Sequence, residues 1–150
     1  MKSATIYKIK GIGYLIHSHS KTSIGLRVAS EPFINLPEGV DNDVLADAIK
    51  TALCNDDSKR IPHPKDWKQA DKEFMAKTGL KSSKSLFSPK AKCLLAEETD
   101  EQIIFTPTIP AKKPDSGFLF MGEADKVAVL SKASNQEIFS AFELALSRYE

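Results

Sequence analysis

The chain has 150 residues, 41% of them apolar and 27% charged, and a net charge of +1. That is enough sequence for one ordinary soluble domain with a buried core. The near balance of charge excludes a chain-wide nucleic-acid binder or an acidic mimic, and no apolar run approaches the ~18 residues of a membrane span.

The start, MKSATIYKIK, holds no uninterrupted apolar core of signal-peptide length. Cys54 and Cys93 are read as free, core-associated thiols of a reducing compartment, so a cytoplasmic protein is expected. Residues 4–9 (ATIYKI) and 12–18 (IGYLIHS) are rich in β-branched and aromatic residues around Gly11, which predicts two short strands and a tight turn. Residues 23–29 (SIGLRVA) alternate Ile24, Leu26 and Val28 with Gly25 and Arg27, the pattern of a strand with one wet face. Pro32 and Pro37 then mark a connection whose Phe33, Ile34 and Leu36 are expected to lid the core. A helix is predicted from Asp41 to about Cys54, with Asp41 as N-cap, Val40 as staple and Val44, Leu45, Ala48, Ile49, Ala52 and Leu53 as its apolar stripe. After a polar, proline-bearing loop over 55–64, a second helix opens at Pro64 or Asp66 and stops at Gly79. Trp67, Ala70 and Phe74 share one of its faces, and Lys65, Lys68 and Lys72 another.

Residues 91–98 and 102–108 read as a β-hairpin around an acidic corner, and 117–121 and 126–131 as two more short strands. The segment 109–117 reads as a proline-broken loop. The last helix is predicted from Asn135 to about Tyr149, with Ser134 and Glu137 as a capping box. Residues 41–53 and 134–146 align without gaps, the echo expected of two capped, Ala-rich helices laid on one sheet.

No complete catalytic set emerges. The pair Gly11 and Gly13 lacks the third glycine and the following helix of a dinucleotide loop. His17 and His19 stand two apart on a strand, so they point the same way, as a metal or phosphate site would require. Only His63 and scattered carboxylates remain as a third ligand, and a polar strand end is the simpler expectation. Within residues 79–95 (GLKSSKSLFSPKAKCLL) no serine stands three residues before a lysine, so an activated serine of that type is unsupported. Lys65, Lys68, Lys72, Lys81, Lys84, Lys90 and Lys92 could contact phosphates, which makes a nucleic-acid-binding module over 65–92 the alternative function. Glu97, Glu98, Asp100 and Glu101 follow directly and oppose it.

Four stretches carry a family resemblance over about residues 30–149. They are LPEGVDNDVLADAIKTAL (36–53), DWKQADKEFMAKTGLKSSKSLFSPKAKCLL (66–95), IIFTPT (103–108) and SNQEIFSAFELALSRY (134–149). The chain resembles the immunity proteins of bacterial contact-dependent growth inhibition systems. These are packing and turn patterns, not catalytic signatures. Under this resemblance residues 79–95 are a structural passage from a helix stop into a strand. The expected fold is α+β, one domain over 1–150 with a mainly antiparallel sheet and about three helices packed on it. The resemblance implies a protein without enzymatic activity or cofactor. It would bind and occlude the C-terminal toxin domain of such a system, a nuclease and often one acting on RNA. Inhibitors of phosphate-gripping sites gain from carboxylates at the interface. The candidate toxin-binding residues are therefore Glu97, Glu98, Asp100 and Glu101 at the hairpin corner, and Asp56 and Asp57 in the loop after the first helix.

Overall fold

Gly13 fixes how the chain starts. A Cβ there would lie 2.1 Å from the carbonyl oxygen of Leu36 and 2.9 Å from the carbonyl carbon of Pro37, and the residue has φ +128°. Only glycine fits that close approach. In the computed structural model, which describes residues 2–54, 60–79, 91–110, 118–120 and 122–148, it sits where β1 (Lys2–Ile9) turns into β2 (Gly13–Lys21). The two pair antiparallel from Ala4↔Ser18 to Ile9↔Gly13.

The third strand differs from expectation. Residues 22–26 are its entry turn, closed by Thr22 N–H to the Leu26 carbonyl (2.8 Å) and Gly25 N–H to the Thr22 carbonyl (2.8 Å). Ile24 is left 74% exposed. Strand β3 runs Arg27–Leu36, straight through Pro32. It does so because β3 is an edge strand and its register with β2 shifts between His17 and Ser18. Pro32 falls outside the paired residues, where its missing N–H costs nothing, and the Glu31–Pro32 peptide is cis. Phe33, Ile34 and Leu36 are therefore strand residues and not a lid.

Helix α1 (Asn42–Leu53) buries Leu45, Ala46, Ala48, Ile49, Ala52 and Leu53. Ala46 takes the place expected of Val44, which is 44% exposed. Asp41 is the N-cap residue but makes no side-chain capping bond. Helix α2 (Trp67–Thr78) follows the expected signals: Asp66 accepts from the Lys68 and Gln69 N–H groups, and Gly79 at φ 72° ends it. Strands β4 (Ala91–Glu98) and β5 (Gln102–Pro110) form the hairpin. Ile109 and Pro110 belong to β5, and 111–117 lies outside the described residues. Strands β6 (Phe118–Phe120) and β7 (Val127–Leu130) pair with Thr108–Pro110 and Gln102–Phe105 of β5. Helix α3 (Asn135–Ser147) carries the complete Ser134–Glu137 capping box. Arg148 ties its end to the Asp125 carbonyl at 3.0 Å.

The sheet order is β3-β2-β1-β4-β5-β6, with β7 also on β5, and every pair of strands described is antiparallel. This is the α+β architecture expected. Alternation gives the sheet two distinct faces. On the first, Ala4, Ile6, Ile16, Leu94, Ala96, Ile103 and Phe105 meet the buried stripes of α1 and α3 in one core. Lys50 Nζ donates to Asn135 Oδ1 at 2.6 Å, and Asn135 Nδ2 to Asp47 Oδ1 at 3.0 Å, which locks the two helices side by side. On the second face Ile9, Leu15 and Ala91 form a much smaller cluster with Tyr7 and with Phe74 and Met75 of α2. Each large side chain fully buried on the first face is worth about 1.5–3 kcal/mol. Among the described residues the first face therefore carries most of the apolar burial, and the second holds other residue types.

Candidate functional site

The acidic corner is divided by the strand it sits on. Glu97 and Glu98 close β4, and successive strand residues point to opposite faces. Both are half-buried. Glu97 lies 3.9 Å from the Arg27 guanidinium across the second face. Asp100 and Glu101 are exposed at the hairpin turn. That turn is held by Thr99 N–H to the Gln102 carbonyl (2.9 Å), Gln102 N–H to Thr99 Oγ1 (3.2 Å) and Ser131 N–H to the Glu101 carbonyl (2.8 Å). Two of the four expected acids thus stand together on a rigid tip, and the other two stand behind it. Asp56 and Asp57 lie outside the described residues.

Among the described residues the lysine surface is not one basic patch. Lys65, Lys68 and Lys72 are exposed, but Asp66, Asp71 and Glu73 are interleaved with them on the same segment. Lys81, Lys84 and Lys90 lie outside the described residues. Lys77 stands 3.8 Å from Glu31 and over the Phe33 ring at 5.8 Å.

Cys54 corrects an expectation. It is the C-cap of α1 and is exposed, because the helix ends one residue before it and the stripe no longer turns it inward. Cys93 is buried and free as expected. Burial pushes its thiol up to about 12, against the effect of a Thr108 side-chain hydrogen bond.

The histidine pair is the larger surprise. His17 and His19 are not a solvated strand end; they are 4% and 8% exposed. The cause is register. Both project from β2 onto the second face, where β1 places Ser3 and Thr5 beside them. His19 shares hydrogen bonds with Ser3 Oγ (2.8 Å, through Nδ1) and Thr5 Oγ1 (2.7 Å, through Nε2). Burial, then His17 and then Arg27, lower its pKa to about 3. His17 Nδ1 donates to the Ser18 carbonyl at 2.9 Å. Its ring is packed at 5.5 Å from Phe33, 5.6 Å from Phe74 and 6.0 Å from Tyr7, and burial depresses its pKa as well. Both imidazoles are neutral at pH 7. Continuing the period of two from Leu15 to His17 and His19 would have placed them on an inward face. What the sequence alone does not reveal is that β1 supplies hydroxyls opposite.

Beside His17, α2 does not close on the sheet. A cavity of about 650 Å³ is lined by Tyr7, His17, Phe33, Ala70 and Phe74, with Trp67 on its lining and 46% exposed. Among the described residues no group of three or more His, Cys, Asp or Glu side chains could hold a metal ion. No described helix is long and apolar enough to cross a membrane.

A family model described as CDI immunity protein matches residues 2–148. Among curated proteins none matches the sequence. Two solved structures share the fold. One is NMB0488 of Neisseria meningitidis, a protein of unknown function (TM-score 0.73, 19% identity, 99% of this chain and 95% of that chain covered). The other is the CdiA-CT/CdiI toxin and immunity complex from Yersinia pseudotuberculosis (TM-score 0.64, 19% identity, 99% of this chain and 97% of that chain covered).

Proposed function

The chain belongs to the family of CDI immunity proteins, and we propose that it binds and neutralises the C-terminal toxin domain of a contact-dependent growth inhibition system. The observation that carries this is the family match over 2–148, almost the whole chain. The toxin is a nuclease, and neutralisation is occlusion of its active site without chemistry. A nuclease site grips phosphate with basic groups, so exposed carboxylates on a rigid turn are suited to enter it. In this reading Asp100 and Glu101 take that role, with Glu97 and Glu98 assisting and Asp56 and Asp57 as a second candidate cluster; the exposure of Asp100 and Glu101 supports it. The interleaved acids on α2 weaken the alternative of a nucleic-acid-binding surface.

The test is co-expression of the cognate toxin domain with and without this chain. Growth should stop with the toxin alone and resume with both, and the purified pair should co-elute. Continued arrest in cells that contain folded, soluble protein would remove the proposal. Nuclease assays of the toxin, titrated with the protein, separate occlusion from binding elsewhere: activity should fall to zero at one equivalent.

A further inference from the structure

We propose that the cavity between α2 and the second face receives one aromatic side chain of the partner toxin that carries a hydrogen-bond donor, a tyrosine phenol or a tryptophan indole. The proposal rests on the immunity reading for the identity of the occupant, but not for the chemistry of the cavity.

The chemistry begins at His17. Its Nδ1–H is committed to the Ser18 carbonyl, which fixes the tautomer and leaves Nε2 as a lone-pair acceptor. That nitrogen makes no hydrogen bond to any described residue, although His17 is only 4% exposed. It is not sealed away as the unpaired hydroxyls of Ser18, Thr106 and Ser131 are. His17 is among the residues that line the cavity. An acceptor open to the cavity can be met by water, and an occupant that displaces that water must bring a donor of its own to keep the hydrogen bond.

The walls define the rest of the occupant. Phe33 and Phe74 stand 5.8 Å apart with their planes at 61°, and both flank His17. These rings are already in edge-to-face contact with one another, and an aromatic occupant can extend that packing where an alkyl chain cannot. The volume, about 650 Å³, falls in the range of small-molecule sites. An anion is disfavoured, because the imidazole is neutral and Asp66, Asp71 and Glu73 line the cavity together with Lys65 and Lys77.

The surroundings favour a protein over a free small molecule. Trp67 lines the cavity, and the β2–β3 turn beside it exposes Ile24 and Leu26. That turn is pinned to the cavity wall by a Thr22–Ile61 bridge, by Arg60 Nη1 to the Thr22 carbonyl (3.2 Å) and by a His63 Nδ1–Thr22 Oγ1 contact (3.1 Å). A pocket with an apolar, partly aromatic collar is how interface hot spots are built.

The test uses the full chain and two probes, p-cresol and its methyl ether 4-methylanisole, which lacks the donor. Trp67 is the single tryptophan and lines the cavity, so its emission reports occupancy when excited beyond phenol absorption. Saturable binding of p-cresol about five- to tenfold tighter than the ether is expected, as one added hydrogen bond provides. His17→Phe should erase that preference. Ala70→Phe should block both probes by filling the cavity from α2, and it keeps the test available should His17→Phe not fold. Equal affinity for the two probes, or no saturable binding, overturns the proposal. In the toxin arm, Ala70→Phe should weaken binding at least about tenfold, the loss of one well-seated anchor. Unchanged toxin binding by a folded Ala70→Phe overturns this proposal and leaves the immunity reading standing. Failure of the unaltered protein to bind toxin overturns the immunity reading and the proposed occupant with it.

Discussion

Lowering the pH should destabilise this protein through its second face. His19 is 8% exposed and held between Ser3 and Thr5, and its pKa in the folded chain is about 3. In the unfolded chain an ordinary histidine titrates near 6.5. The folded value is the lower one, so as pH falls the unfolded chain takes up the proton first. The stability His19 contributes is full above about pH 6.5 and is lost progressively down to about pH 3. At about pH 5 the loss is about 1.5 units of 1.36 kcal/mol each, or about 2 kcal/mol from this one group. His17 acts in the same direction, since burial depresses its pKa too. Arg27 faces His19 and adds to the cost of charging it. The assay is urea unfolding at a series of pH values, for the parent and for His19→Gln, which offers both a donor and an acceptor to the two hydroxyls. The parent should lose about 2 kcal/mol more than the variant between about pH 7.5 and pH 5. Parallel curves would refute the reasoning, because the slope would then come from groups other than this imidazole.

Three further outcomes follow from the structure. Cys54 should react with a disulfide reagent in the native protein at the rate of an exposed thiol, whereas Cys93, buried with its pKa pushed up to about 12, should react only on unfolding; equal rates would contradict this. Gly13→Ala should cost about 3 kcal/mol or more, since a Cβ meets the Leu36 carbonyl at 2.1 Å in a left-handed backbone, and a urea midpoint within error of the parent would show that the approach is not as close as described. Replacing Asp100 and Glu101 together by alanine should leave thermal melting unchanged and weaken binding of the cognate toxin by about 2–5 kcal/mol, with Glu97 and Glu98 tested as a second pair because Glu97 also faces Arg27. Unaltered affinity in both pairs would take the hairpin corner out of the interface.

What the sequence made legible was local chemistry. The capping box at Ser134, the Asp66 cap and Gly79 stop of α2, and the β4–β5 hairpin were all readable, because each is decided by residues within a few positions of one another. Strand β3 was not, because alternation in residues 23–29 competes with a turn that only tertiary pairing selects. Pro32 argues against a strand until one knows that β3 lies at the sheet edge and that its register slips beside it. Cys54 was misplaced by a single residue of helix length, which is enough to move a side chain from stripe to solvent.

The histidine pair shows why the candidate site was the least legible part. Its character is set by the neighbour across the strand, and strand order is a long-range property. Ser3 and Thr5 precede His19 by 16 and 14 residues, and they reach it only because Gly13 allows the chain to fold back in that register. The same logic separates the two faces. The first is apolar and covered by two helices locked side by side, so it has little room to do anything but hold the fold. The second buries two imidazoles and several hydroxyls under one helix that does not close on them. Burying polar groups is unfavourable unless they are hydrogen-bonded, and an apolar strand pair would have packed there at lower cost. His19 is fully partnered by its neighbours, whereas His17 keeps one acceptor toward the cavity. A fold secured by its first face can carry that open acceptor on the second, and an incoming donor is what would complete it.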